Sequence, residues 1–287
     1  MAVHKRNYRA YQGDLTAEWS RFLILPRYAW RELFKQRFLL IFYVACFFYP
    51  VGCAIAMYLN ANLQFLAQFI QVPQNGLFEF GNRFFLIFCN FQNGLAFVLT
   101  AFIGPGLISP DLANHALPLY FCRPFSRVEY VAGKLSVIVL LLSTITWIPA
   151  LILYFLQWNL GGQVWFEKNS FLIAPIVLTT LLWIFLISLL ALALSAWVRW
   201  KVVAGAAMLV VFFLGAGLGQ AINAVMLTNV GSYVDIGTNM GRVVVEYFRI
   251  RESPKISVEE AIASLMAVCG ICLYLLWKKI RAYEVVR

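Results

Sequence analysis

The sequence has little charge and few of the side chains that perform chemistry. Only 13% of its 287 residues are charged, and 62% are hydrophobic, whereas soluble domains have about 25% and roughly 45–50%. So few charges cannot cover the surface of a soluble protein of this length. The composition therefore excludes a soluble enzyme and predicts a chain whose solvent is lipid.

Histidine is almost absent, since His4 and His115 are the only two. Their scarcity argues against a His-rich metal site and against a Ser-His-Asp hydrolase. A phosphate-binding loop is missing as well, because Gly133-Lys134 lacks the upstream glycine and the following hydroxyl that the motif needs. We therefore expect no catalytic residue, no metal and no cofactor in this chain.

Six apolar runs are long enough to cross a membrane as helices, which takes about 20 residues. They cover approximately residues 38–59, 84–107, 135–157, 171–197, 202–226 and 258–277. The strands of a barrel would alternate in polarity over about ten residues, and these runs do not. The sequence predicts an all-α polytopic membrane protein, with an N-terminal segment (1–37) and one six-span transmembrane domain (38–287).

The basic residues predict the orientation of the spans. The net charge is +10, and 17 of the 23 Lys and Arg residues fall on the side that holds both termini and the 108–134 loop. Positive loops stay cytoplasmic, so we expect cytoplasmic termini in a cell inner (plasma) membrane. The loop 227–256 would then be extracytoplasmic. We expect membrane lipids, and no nucleic acid, to bind the basic residues, because these stand between apolar runs.

An amphipathic pattern precedes the first span. Arg27, Arg31 and Lys35 recur every four residues and form one stripe of a helix. The adjacent apolar face comprises Trp30, Leu33, Phe34 and Phe38. The pattern predicts either an interfacial helix on the inner leaflet, with these basic side chains at the membrane surface, or a cytoplasmic extension of the first span.

The cytoplasmic loop 108–134 carries two signals for helix starts. Ser109 predicts an N-cap, with Pro110 at the first helical position and Asp111 in the first turn, and that helix should end before Pro118. Ser126 and Glu129 then form a capping box for the next helix. Such an ordered loop, with apolar side chains, suits docking to another protein or packing on the inner leaflet.

This loop resembles a segment of a known family. The matching residues are Ile108-Ser109, Asp111, Leu117 to Phe121, Arg123-Pro124, Ser126-Arg127, Glu129-Tyr130 and Gly133-Lys134. They are similar to the segment between the second and third spans in membrane subunits of ABC-2 type ATP-binding-cassette transporters. The close resemblance covers about 27 residues, and the six-span plan extends it to nearly the whole chain.

The resemblance implies partners and roles. In that family a cytoplasmic coupling helix docks on a separate ATPase subunit, which binds ATP and Mg²⁺, and two permease subunits, identical or homologous, pair with each other. The implied ATPase-coupling residues are Ser109, Pro110, Asp111, Leu112, Asn114, His115, Arg123, Pro124, Arg127, Glu129 and Tyr130. The long segment between the fifth and sixth spans would correspond to gate helices.

Polar and small residues inside the spans suggest further roles. The polar ones are Asn90, Gln92, Asn93, Gln220 and Asn223. They could line a transport path or join helices by hydrogen bonds. Gly104-Pro105-Gly106 predicts a hinge directly before the loop. Gly215 and Gly219 permit close helix packing, within the chain or in a dimer.

We therefore expect a permease subunit of an ABC-2 type exporter, coupled to ATP hydrolysis on a separate subunit. The alternative is a membrane anchor or scaffold subunit that transports nothing. Cys269 and Cys272 form a C-x-x-C pair, but within an apolar helix we interpret them as small buried hydrophobic residues.

Overall fold

The computed structural model describes residues 24–62, 79–114, 116–121, 126–198, 200–250 and 256–280, almost all of them helical. The helices are α1 Ile24–Lys35, α2 Arg37–Ala45, α3 Phe48–Ala61, α4 Asn82–Ile103, α5 Pro105–Ala113, α6 Leu117–Phe121, α7 Arg127–Ile145, α8 Trp147–Asn169, α9 Ile173–Trp197, α10 Lys201–Met226, α11 Ile236–Tyr247 and α12 Val258–Lys279. The predicted all-α class is confirmed, since no strand occurs in these residues.

Five stretches of the described chain are long and apolar enough to cross a membrane. They are Arg37–Ala61, Asn82–Ala113, Arg127–Trp197, Lys201–Met226 and Val258–Lys279. The third has 71 residues, which as one straight helix would measure about 105 Å, against about 30 Å of hydrocarbon. Its backbone leaves helical geometry at Thr146 and Gly162, and α7 packs against α9. This stretch folds back on itself and contains two of the six predicted spans, 135–157 and 171–197.

Prolines interrupt three of the predicted spans. Pro50 lies in the first turn of α3, just after the break from α2. Pro105 is the first residue of α5, and Pro149 lies in the first turn of α8 after the break from α7. Each proline lacks the amide hydrogen that would bond the carbonyl four residues earlier. At Pro50 the freed carbonyl of Cys46 accepts a hydrogen bond from the buried Gln92 Nε2, at 3.3 Å. The Gln92 side chain of α4 thus replaces the hydrogen bond that the Cys46 carbonyl cannot form with Pro50.

Helix α9 lies at the centre of the bundle. It packs against α4, α5, α7, α8, α10, α11 and α12, and it contains no charged residue. Gly104 allows a close approach to α9, because a Cβ at this position would lie 2.5 Å from Ala191 Cβ. The junction of α4 and α5 is therefore held directly against the central helix.

The segment after α10 packs back onto the bundle. It forms the 3₁₀ turn Val230–Tyr233 and then α11, whose N-cap Asp235 accepts a hydrogen bond from Thr238 N. A Cβ at Gly219 would lie 2.6 Å from the carbonyl oxygen of Gly231. Gly219 thus serves close packing within the chain. This agrees with the first of the two predicted roles of Gly215 and Gly219, packing within the chain or in a dimer.

The cysteines fit the interpretation from the sequence. Cys46, Cys53, Cys89, Cys269 and Cys272 are buried free thiols. Among the described residues, no group of three or more His, Cys, Asp or Glu side chains is placed to hold a metal ion.

We predict that Gly104→Ala destabilises the protein by about 1–3 kcal/mol, because the added methyl collides with Ala191 and the central helix cannot move away. The measurement is the unfolding midpoint in detergent. Gly94→Ala is the matched control on α4, since a Cβ at Gly94 meets nothing within 4 Å. Equal midpoints for the two variants would contradict the close contact.

Candidate functional site

The prediction that Ser109 caps the loop helix is wrong. Helix α5 begins four residues earlier, at Pro105, whose fixed φ angle suits the first helical position. Ser109 and Pro110 therefore lie inside α5, and Asp111 lies near its C-terminal end. Gly104 has helical dihedral angles, φ −53° and ψ −46°, so the chain passes the predicted hinge in helical geometry.

Ser109 has a different role, in a buried group of hydrogen bonds with Ser195 of α9. Ser195 Oγ accepts from the backbone N–H of Ser109 at 2.9 Å and of Ile108 at 3.3 Å, and it donates to the Pro105 carbonyl at 3.0 Å. Ser109 Oγ in turn donates to the Val198 carbonyl at 2.7 Å. The loop helix α5 is thereby bonded to the end of α9, next to the connection that leads into α10.

A buried ionic group holds the other end of α5. Asp111 Oδ2 accepts a hydrogen bond from the Tyr130 hydroxyl at 2.7 Å and forms an ion pair with Lys134 Nζ at 2.8 Å. The side chains of Asp111 and Lys134 are only 17% and 10% exposed. Because both bonds join α5 to α7, the carboxylate fixes the loop helix to the helix that follows the loop.

Tyr120 extends this group towards α6. Its ring lies 5.4 Å from the ring of Tyr130, centroid to centroid. Burial and the nearby Asp111 carboxylate raise the pKa of the Tyr120 hydroxyl above its usual value. Tyr120 thus packs beside the Asp111–Tyr130 pair that joins α5 to α7.

The predicted coupling residues divide by accessibility. Ser109 and Tyr130 are completely buried, and Pro110, Asp111, Leu112 and Glu129 are half-buried. Asn114 and Arg127 are exposed, as are their neighbours Ala113, Pro118 and Val128. The predicted capping box is confirmed, with Ser126 and Glu129 bonded reciprocally at the start of α7. His115, Arg123 and Pro124 lie outside the described residues.

The polar residues predicted for a transport path also differ in their exposure. Asn93 is buried like Gln92, and Asn223 donates to Ser232 Oγ at 2.9 Å and accepts from Gly231 N at 2.7 Å. Asn90 and Gln220 are exposed. Gln92 and Asn223 thus join parts of the chain by hydrogen bonds, which leaves Asn90 and Gln220 as the exposed members of the predicted set.

The N-terminal helix α1 has the predicted basic stripe but only part of the predicted apolar face. Arg27, Arg31 and Lys35 are exposed, Leu33 is buried, and Trp30 Nε1 donates to the Val137 carbonyl of α7 at 3.1 Å. Phe34 and Phe38 of the predicted apolar face are instead 39% and 61% exposed. Helix α1 is thus anchored to α7 by Trp30 and Leu33.

Sequence reasoning missed Ser195 and Lys134 as members of this site. A lone serine near the end of an apolar run carries no local signal. Lys134 belongs to the loop charges and to the family resemblance, but nothing in the sequence assigns it a partner. Tertiary packing alone brings them to Ser109 and Asp111.

We predict that Asp111→Ala destabilises the protein by about 3 kcal/mol, because it leaves the Lys134 ammonium buried without its partner. The double variant Asp111→Ala/Lys134→Met should recover much of the lost stability. Comparison of the unfolding midpoints of the single and double variants in detergent measures the energetic coupling between the two residues. Glu32→Ala is the control, since the exposed Glu32–Lys35 pair contributes at most about 1 kcal/mol. Strictly additive effects at positions 111 and 134 would contradict a coupled pair.

Comparison with known proteins gives one family match. A sequence model described as ABC-2 family transporter protein matches residues 28–267, well over half of the chain. A comparison with curated proteins found no match.

Proposed function

The chain belongs to the ABC-2 transporter family, and we propose that it is the transmembrane permease subunit of an exporter driven by a separate cytoplasmic ATPase, which binds ATP and Mg²⁺. In this proposal the chain crosses the cell inner (plasma) membrane six times, with both termini cytoplasmic. The observation that carries the proposal is helix α5 of the loop, which is bonded both to α7 and to the end of α9, while Asn114 and the start of α7 at Arg127 are exposed.

The bonds of the loop suggest how a push from the ATPase is transmitted. An ATPase seated on Asn114, Arg127 and their exposed neighbours would move α5 and α6 first. Asp111 would pass that movement to α7, and Ser109 would pass it to α9 through Ser195. Buried Ser109 and Tyr130 would take part by transmitting force rather than by touching the ATPase.

The predicted hinge at Gly104-Pro105-Gly106 has a more restricted role in this proposal. Gly104 is held against Ala191, and a Cβ at Gly106 would lie 3.3 Å from Lys201 Cε. Because the junction touches both α9 and α10, α5 would tilt together with these helices. The missing hydrogen bond at Pro105 would permit a small change of angle relative to α4.

An exposed stripe of α10 that contains one polar side chain, Gln220, supports pairing with a second permease subunit. Phe213, Gly217, Gln220 and Ala224 recur at helical spacing along α10 and are all exposed. A glutamine amide facing acyl chains would carry a desolvation cost, whereas a facing helix or a water-filled path would satisfy it. Asn90 lies on the neighbouring α4. We place the partner permease, and the transport path between the protomers, on this side.

We expect Arg127→Glu/Val128→Asp to reduce co-purification of the ATPase at least tenfold, because the change reverses a charge and removes an apolar contact on the exposed start of α7. The measurement is purification of the tagged chain in mild detergent, identification of its partners, and ATPase activity of the product.

Arg31→Glu is the matched control, as it reverses an exposed charge on α1, outside the loop. Retention of the ATPase by the loop variant would overturn the assigned docking surface. Purification of the wild-type chain with no nucleotide-binding partner would overturn the transporter proposal and favour the membrane anchor.

We expect Gly217→Leu to convert a permease dimer into monomers, because the larger side chain enters the helix-packing surface. Its effect on the fold should be small, since a Cβ at Gly217 meets nothing within 4 Å of the same chain. Gly270→Leu on α12 is the control, because Gly270 is equally open and exposed. Size-exclusion chromatography with light scattering distinguishes the two states, and an unchanged mass for Gly217→Leu would place the dimer contact elsewhere.

A further inference from the structure

A charged cleft lies at the end of the bundle opposite the 105–134 loop. It has a volume of about 610 Å³ and is lined by residues that include Phe171, Pro175, Glu246, Tyr247, Arg249 and Glu259. Lys279 at the end of α12 lies over the ring of Trp197 at the end of α9. The first turns of both helices, which border the cleft, are therefore at the far end of the bundle. Nothing in the proposed ATPase coupling uses these residues.

Arg249 occupies an unusual backbone position in this cleft. Helix α11 ends in a Schellman motif, with Ile250 N bonded to the Val245 carbonyl at 3.1 Å and Arg249 N bonded to the Glu246 carbonyl at 2.9 Å. Arg249 takes the left-handed position of this motif, with φ 53°. Glycine occupies that position most often, because a side chain is strained there. A strained arginine at such a position suggests that its side chain has a use.

The Arg249 guanidinium is presented to the cleft by an aromatic ring. Its Cζ lies 4.6 Å from the centroid of Phe171, a cation–π contact. No carboxylate of the described residues forms an ion pair with it. The end of α11 is held from the other side, since Asn82 Nδ2 donates to the carbonyl of the buried Phe248 at 3.2 Å. The arginine is thus positioned by its backbone and by Phe171, with hydrogen-bond donors available to an anion.

Two carboxylates line the same cleft. Glu246 bonds Arg242 at 3.0 Å but keeps 56% of its side chain exposed. Glu259 is exposed in the first turn of α12. The cleft therefore offers a guanidinium for an anionic group and carboxylates for a cationic group, with Phe171, Pro175 and Tyr247 as an apolar and aromatic wall.

We propose that this cleft binds a zwitterionic headgroup that carries a phosphate and a primary ammonium, as presented by a phosphatidylethanolamine lipid. Arg249 binds the phosphate oxygens, which suit the planar guanidinium. Glu246 and Glu259 accept hydrogen bonds from the ammonium. A lipid rather than a free headgroup is favoured because the aromatic and apolar wall, at an end of a membrane-spanning bundle, gives the start of the acyl chains a surface.

The test is lipid binding by the full-length chain in detergent, measured by native mass spectrometry with dioleoyl phosphatidylethanolamine and dioleoyl phosphatidylglycerol. We expect at least tenfold tighter binding of the ethanolamine lipid. Arg249→Gly should weaken both lipids at least tenfold and keep the fold, because glycine adopts the left-handed conformation without strain. Glu246→Gln/Glu259→Gln should remove the preference for ethanolamine and retain binding of the glycerol lipid.

Arg83→Gln is the matched control, an exposed arginine at the start of α4, and it should bind both lipids as the wild type does. Unchanged lipid binding by Arg249→Gly would overturn the proposal. Equal affinity of the wild type for the two lipids would overturn the role of the carboxylates. Free phosphoethanolamine that binds as tightly as the lipid would overturn the lipid as the occupant.

Discussion

A backbone group inside hydrocarbon must find its hydrogen bond within the protein, and this constraint decides how the chain uses its helix breaks. Pro50 frees the carbonyl of Cys46, and Gln92 of another helix satisfies it. At the Pro105 break, Ser195 Oγ bonds the Pro105 carbonyl and two amides of α5. At both sites, hydrogen bonds connect two helices where a proline interrupts the chain.

The composition of α9 suits its central position in the bundle. This helix has no charge, and small residues such as Ala191 let its neighbours approach closely. Two of its polar side chains bond the backbone of other helices, since Trp183 donates to the Asn93 carbonyl of α4 and Ser195 donates to the Pro105 carbonyl of α5. In the proposed mechanism, a movement of α5 would therefore pass directly to the end of α9 through hydrogen bonds.

The charged residues are concentrated at the two ends of the bundle, with different consequences. At the loop end, Asp111 and Lys134 are paired and buried, which makes a rigid connection between α5 and α7. At the opposite end, Arg249, Glu246 and Glu259 border an open cleft. A paired and buried charge suits the transmission of force, whereas an accessible charge suits a ligand.

The 105–134 loop shows which helix starts can be predicted from neighbouring residues in the sequence and which cannot. The capping box at Ser126 was predictable, because its partner Glu129 lies within one turn of the chain. Ser109 has an equally good local pattern, yet Pro105 starts the helix earlier and Ser195 takes the hydrogen bonds. The hydrophobic runs alone determined the helical class and most of the membrane-spanning stretches, because burial in lipid depends on composition over about 20 residues. Only the tertiary structure decided which polar residues join helices and which stay accessible, because partners such as Ser109 and Ser195 are 86 residues apart.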